Sequence, residues 1–505
     1  LMMQSLNALE IGLELFLPTK FFLPRPPLNP TGLTNGVLAA SIIIVKGFLV
    51  YKVSGQKVSQ WLESLCLTVS FGFGVTSLQI MMLALLKMVY QTTIMMVDLV
   101  TILILIILTF YTSKPPRLKN FNLPKNLTKQ AIHDLDLSAS KILSCLVIAA
   151  IIAVSAYNSS AAIVEWDSMA YMAYYAKKIF LNHSLSDIWG PSIGLETSAL
   201  YPIGFQAIGV YFYNYIGVAD DFYLRVLPPV FYTFSLLAIY LLITKALELK
   251  SQGPYYTLLV AATPIYFHYA TQSAHYMPYL VFLSTMAALY SIKYSKTGIE
   301  RHLFLSFIYA GFSSIISYNG LTVFMFPLIS MLLLKPKSKE KALIMLLIGL
   351  LLPMPYLVRN FLITGDPVFP LLTHKEGILW RSRDIHFKLI STYTGLNFDS
   401  AFSILEFLYM RQVGVRPWVI FNIFCGPLLL LYLYKTRRTR RIKRQERLIF
   451  ICFFASIMVF LAVPTFERYL LPMIPIHVAF FAWIAKNTKK FKMHKLFRLT
   501  RLIIV

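Results

Sequence analysis

Apolar residues run through this chain in blocks about as long as a membrane is thick, separated by short polar or basic connections. A spanning helix needs about 20 mostly apolar residues. Runs of that kind lie near 33–51, 62–88, 93–112, 141–157, 224–247, 254–270, 275–293, 302–318, 320–334, 341–358, 415–434, 448–464 and 468–485. A further run, 202–217, is apolar but creates a conflict if it crosses, because the later basic loops would then alternate between the two sides. Laid in the outer interface, it lets every basic loop fall on one face. The pattern therefore predicts an all-α polytopic membrane protein of about 13 transmembrane helices, with interfacial helices in a long first outer loop. Residues 1–32, punctuated by Pro18, Pro24, Pro26, Pro27 and Pro30, read as an interfacial segment, and no removable signal peptide is expected.

Charge fixes the orientation. The chain of 505 residues holds 47 Lys and Arg against 22 Asp and Glu, a net +25, yet only 14% of residues are charged. Soluble domains carry about 25%. A soluble enzyme, a disordered chain and a nucleic-acid-binding surface are excluded together. Segments 113–141, 335–341, 435–447 and 486–501 hold 25 of the 47 basic residues and only Asp134, Asp136, Glu340 and Glu446 as acids. By the positive-inside rule these are cytoplasmic, and the C-terminus with them. Cys66, Cys145, Cys425 and Cys452 lie in apolar runs without metal-ligand spacing and read as small hydrophobes.

The outer face then receives two long loops, 158–223 and 359–414. Long ordered loops are uncommon unless functional. The first gathers Glu165, Asp167, Asp187, Glu196, Asp220 and Asp221 against Lys177 and Lys178 alone. Asp167, flanked by Trp166 and Tyr171 at the membrane boundary, reads either as a partly desolvated base or as the cap of a helix starting at Ser168. The spacing Glu165-x-Asp167 can hold a divalent cation, although two carboxylates are a weak metal signal. The second loop opens Arg359-Asn360 and continues Gly365-Asp366-Pro367-Val368, a turn by its own chemistry. Arg359 can snorkel or hold a phosphate. Glu467-Arg468 forms the last outer turn, and His275 lies at the outer end of a helix. Asp98, Lys46 and Lys87 sit within or near apolar runs, where charge is functional by default and where snorkelling accounts equally for the lysines.

In order and sidedness these motifs resemble the GT-C superfamily of membrane glycosyltransferases, which includes protein O-mannosyltransferases and lipid A aminoarabinose transferases. The resemblance covers roughly 141–485 and rests on Trp166-Asp167-Ser168 with Tyr171, Tyr201-Pro202-Ile203-Gly204, Phe222 to Arg225, Arg359-Asn360 with Gly365-Asp366-Pro367-Val368-Phe369-Pro370, and Glu467-Arg468-Tyr469-Leu470-Leu471-Pro472. It implies transfer of a sugar from a polyprenyl-phosphate donor to a lipid, glycan or protein acceptor at the outer face of an integral membrane protein, most simply in a prokaryotic plasma membrane. Asp167 is then the catalytic carboxylate, with Glu165 beside it. Arg359, Arg468, Arg225 and His275 are the donor-phosphate candidates, and Trp166, Tyr171, Tyr201 and Glu467 line the substrate. No certain cofactor is implied, and no nucleic acid. Two departures stand out: Tyr201 replaces a Lys or His before the Pro, and Tyr276-Met277-Pro278 replaces an Asp-Leu-Pro.

The chain divides on this reading into 1–112, an interfacial segment plus three additional spans; 113–140, a basic cytoplasmic linker; 141–485, the GT-C-like module; and 486–505, a basic tail. The alternatives are a transporter or flippase for a lipid-linked saccharide, and a saccharide ligase or polymerase.

Overall fold

In the computed structural model the described residues are 30–55, 61–112, 139–159, 168–185, 201–271, 274–334, 336, 338–368, 444–462 and 471–488. The expected interfacial segment before residue 30, the linker 113–138, the run 415–434 and most of the second outer loop lie outside them. Every regular element among the described residues is helical. Among the described residues five helices are long and apolar enough to cross a membrane: Thr31–Val53, Trp61–Leu85, Gln91–Thr112, Lys141–Ser159 and Asp221–Ala246. A sixth candidate is the pair Lys339–Leu351 and Met354–Ile363, bent by 57°.

The chain divides into two units. The first takes Leu1–Pro191, Ile203–Ala261 and Tyr269–Phe282; the second takes Ser192–Pro202, Ala262–His268 and Leu283–Val505.

The first unit opens with α1 (Pro30–Val53), α2 (Trp61–Leu85) and α3 (Gln91–Thr112). Glycine brings α1 and α2 together: a Cβ on Gly47 would lie 1.9 Å from the Thr68 carbonyl oxygen, and one on Gly72 would lie 2.3 Å from that of Ile43. Between apolar helices in lipid, such small-residue contacts replace hydrophobic drive with close packing. The α3 helix shows the opposite character, with Met96, Leu99, Leu103 and Ile107 exposed and only its inner face, including Ile94 and Asp98, buried. That pattern suits a lipid-facing surface.

Next come α4 (Ala139–Ser159), a π-helical turn Ser168–Ala173, α5 (Tyr174–Asn182), α6 (Gly204–Ile216) and α7 (Asp221–Leu241). The apolar run 202–217 becomes α6, whose 13 residues extend about 20 Å at 1.5 Å each, short of a hydrocarbon core about 30 Å thick. Gly217, at φ 83°, ends it by donating to the Tyr213 carbonyl, a left-handed cap that glycine adopts without steric cost. Asp220 then caps α7 by accepting from the Phe222 amide at 2.9 Å, satisfying a first-turn donor. Residues 204–215 of α6 are all buried, enclosed by α2, α1, α5 and α7. The turn after α2 is tied to the end of α5 by two backbone bonds, Leu185 to Ala84 (2.9 Å) and Val89 to His183 (3.2 Å). The N-terminal helices thus pack directly on the end of α5. The α8 helix (Gly253–Ala261) completes this unit against α4 and α7.

The apolar run 254–270 is not one helix: it breaks before Pro264, where α9 (Pro264–Thr271) begins, as expected where a proline lacks the amide a continuous helix needs. The α10 helix follows (Met277–Thr297).

In the second unit α11 (Glu300–Ile316) folds back through a 3₁₀ turn, Tyr318–Phe324, into α12 (Met325–Leu334). A Cβ on Gly320 would fall 1.9 Å from the Ser313 carbonyl oxygen, so only glycine admits this hairpin. The α13 helix (Lys339–Leu351) crosses α11 at a glycine pair, where a Cβ on Gly311 would meet the Gly349 oxygen at 2.5 Å. Pro353 then sets the bend into α14 (Met354–Thr364). The α15 (Arg444–Ala462) and α16 (Ile474–Thr488) helices pair through stacked Phe453 and Phe480 rings, 3.9 Å between centroids, and through Ser456 and His477, 2.8 Å apart.

Candidate functional site

Sequence-predicted residues lie in both units: Tyr201 and Arg359 share a cluster in the second, and Tyr171, Arg225 and His275 each have partners in the first. In the second unit the middle of α14 carries Arg359 and Asn360. Gly365, at φ 75°, ends that helix by donating to the Phe361 carbonyl. Asp366, 3% exposed, accepts from the Val368 amide at 2.9 Å. The Gly-Asp-Pro turn expected from sequence is present, and its aspartate is consumed locally in an Asx-type bond. Asn360 is fully buried and donates to the Tyr318 hydroxyl at 2.5 Å. Arg359 donates to the Asn360 side-chain oxygen at 3.3 Å and lies over the Tyr356 ring, 5.7 Å from its centre. The Tyr356 hydroxyl donates to the Tyr201 carbonyl, and the Tyr201 and Tyr318 rings sit 5.6 Å apart.

A cation carried on an aromatic face and steered by a buried amide suits recognition of an anionic oxygen, because the planar guanidinium keeps its fork geometry while its hydration is reduced. Tyr318 and Asn360 went unnoticed as partners in the sequence. Tyr318 ends the run 302–318 and Asn360 lies 42 residues further on, so no local pattern links them.

In the first unit Tyr171 lies in the π-helical turn and packs edge-on against Tyr175, 5.4 Å between centroids. Burial, with a smaller contribution from the neighbouring Tyr174, pushes the Tyr175 phenol up to about 12, so it stays a neutral donor near neutral pH. Arg225, 5% exposed, donates from Nε to the Asp221 carbonyl at 3.3 Å. The Asp221 carboxylate takes Lys177 Nζ at 2.7 Å on one oxygen and the Tyr213 hydroxyl at 3.1 Å on the other. His275, 1% exposed, accepts the Met277 amide on Nδ1 at 3.3 Å and lies between the Tyr269 and Tyr276 rings, 4.5 and 4.4 Å away. It caps α10, and the neutral ring then carries its proton on Nε2.

Comparison with family models, with curated proteins and with solved structures returns no match. What the chain does must therefore be argued from its own residues.

Glu165, Trp166, Asp167, Glu467 and Arg468 lie outside the described residues, so the carboxylate pair considered for a divalent cation has no geometry here. Among the described residues no three His, Cys, Asp or Glu side chains converge.

A third cluster had only its charges legible in sequence. Lys46 of α1 reaches Asp98 of α3 at 2.6 Å, with side-chain exposures of 0% and 4%. Snorkelling does not describe this lysine: it sits mid-helix and points into the bundle. Tyr211, Tyr215 and Gln79 complete its surroundings. The spacing of Tyr211 and Tyr215, one helical turn apart in a buried helix, was the available signal.

Proposed function

We propose that this chain is a membrane glycosyltransferase of the GT-C type, moving a sugar from a polyprenyl-phosphate donor to an acceptor at the outer membrane face. One observation carries the reading. Two stretches that bear the resemblance, Tyr201-Pro202 and Arg359 through Asp366, are far apart in the chain yet meet around Tyr318. On this reading the chain has about 13 spans with a cytoplasmic C-terminus, in the plasma membrane of a prokaryote. Asp167 takes the proton of the acceptor hydroxyl as that oxygen attacks the anomeric carbon in line. The bond to the lipid phosphate breaks with inversion, and the phosphate leaves with the electron pair. Charge developing on that phosphate calls for hydrogen-bond donors, a role assigned first to the cations Arg359 and Arg468 and second to Arg225 and His275. Glu165 supports Asp167, alone or through a divalent cation. Trp166, Tyr171, Tyr201 and Glu467 line the sugar and acceptor.

The test is transfer of radiolabelled sugar from a lipid-phosphate donor in proteoliposomes. Unchanged transfer in Asp167→Asn would remove the base, and transfer from a nucleotide sugar alone would remove the donor class. Arg359→Ala is expected to lower transfer by at least tenfold.

One feature favours a second reading, transport or flipping of a lipid-linked saccharide: the 57° break between α13 and α14 resembles the discontinuous helices of transporters. Lipid flipping in vesicles without a covalent product would decide for it.

A further inference from the structure

Tyr211 and Tyr215 project from one face of α6, and both hydroxyls donate to the same oxygen, Asp98 Oδ2, at 2.8 and 2.7 Å. The other oxygen, Oδ1, takes Lys46 Nζ at 2.6 Å. Lys46 also donates to Gln79 Oε1 at 2.8 Å and lies 4.8 Å from the centre of the Tyr211 ring. Gln79 Nε2 in turn donates to Thr101 at 3.1 Å. Lys46 of α1, Gln79 of α2, and Asp98 and Thr101 of α3 thus build a socket, and α6 fills it.

The opposite side of α6 is held differently. Tyr213, two residues from either tyrosine, donates to Asp221, whose second oxygen binds Lys177 on α5. Residues two apart on a helix face nearly opposite ways. The α6 helix is therefore gripped on both faces, by a buried carboxylate on one and by a carboxylate linked to α5 on the other. Phenylalanine at 211 and 215 would fill almost the same volume. What the hydroxyls add is direction, because a carboxylate accepts along defined lone-pair lines.

We infer that Asp98 is a positioning residue. It sets the rotation of α6 about its axis and, through Tyr213, Asp221 and Lys177, the placement of α5, the helix joined to the Asp167 segment by the turn Ser168–Ala173. The three N-terminal helices are then part of the device that places α5. The inference about placement needs no substrate; only its effect on transfer rests on the proposed function.

The experiment uses the full chain in nanodiscs with a cysteine pair, Ala84→Cys and Leu185→Cys, at the backbone contact between α2 and the end of α5. Oxidative cross-linking reads placement directly. Tyr211→Phe/Tyr215→Phe, which leaves the Lys46–Asp98 pair in place, is expected to slow cross-linking at least tenfold, and Tyr215→Phe alone by an intermediate factor. The same double variant is expected to lower kcat for transfer at least tenfold with the donor KM within twofold. Cross-linking at the unsubstituted rate in the double variant overturns the inference, whatever transfer does. A protein that cross-links as expected but transfers no sugar overturns the proposed function and leaves the positioning role standing. An equal rise in KM with unchanged kcat would also overturn the effect on transfer, because misplacement of a base lowers kcat.

Discussion

Asn360 in the middle of α14 donates to the hydroxyl of Tyr318, which opens the 3₁₀ turn after α11, across 2.5 Å in a buried setting. The bond joins a helical hairpin to the second half of a bent pair of helices, and both partners touch other predicted site residues. Removing either side leaves a buried polar group without its partner, which costs about 1–3 kcal/mol. Asn360→Ala and Tyr318→Phe are expected to destabilise by that amount each. Their double variant should fall short of the sum by about 1 kcal/mol in thermal unfolding. Strict additivity would mean that the bond contributes nothing.

The buried and exposed ion pairs of the first unit should behave in opposite ways. Lys177 and Asp221 are 40% and 29% exposed at the side chain, and Lys177→Met is expected to cost under about 1 kcal/mol and to matter less as salt rises. Lys46→Met should cost about 3–5 kcal/mol, since it strands the Asp98 carboxylate. Lys46→Met/Asp98→Leu should recover much of that loss. Denaturation in detergent at two salt concentrations separates the cases.

Glycines fall into two classes that substitution should distinguish. Gly47→Ala and Gly311→Ala bring a methyl within 1.9 and 2.5 Å of a backbone oxygen on a facing helix, and loss of monodisperse protein is expected. Gly217 and Gly365 have open space around a Cβ and only a positive φ. Alanine there should cost about 1 kcal/mol or somewhat more and leave a folded protein. Size-exclusion profiles of the four variants provide the check.

Gln206 on α6 is 1% exposed, and neither atom of its amide has a hydrogen-bond partner among the described residues. A buried amide in that state costs about 1–3 kcal/mol, which an apolar side chain of similar volume avoids. Gln206→Met is therefore expected to raise the thermal midpoint by a few degrees. A fall would show that the amide is used.

Much of the helical scaffold was legible in the sequence because apolar length is a local property. The runs 33–51, 62–88 and 93–112 became α1, α2 and α3, and 202–217 became the short α6. Breaks were less legible. Pro264 and Pro353 interrupt runs that hydropathy alone reads as continuous, and only the missing proline amide could have marked them. The partners of Asp98 were not legible at all. Tyr211 lies 113 residues away, and nothing local to either residue reports the other. For the site, the Gly365-Asp366-Pro367 turn followed from its own chemistry. The enclosure of Arg359 and Asn360 by Tyr201, Tyr318 and Tyr356 required the fold.

The long separation between Asp98 and its tyrosines has a consequence for biogenesis. Lys46 and Asp98 are made 52 residues apart, but Tyr211 emerges 113 residues after Asp98, about 6–23 seconds later at 5–20 residues per second. Throughout that interval two charges, each costing about 2.5–3.5 kcal/mol at a bilayer centre, have only one another and Gln79 for company. In helices inserted as spans, early pairing of Lys46 with Asp98 offsets that cost before Tyr211 and Tyr215 have been translated.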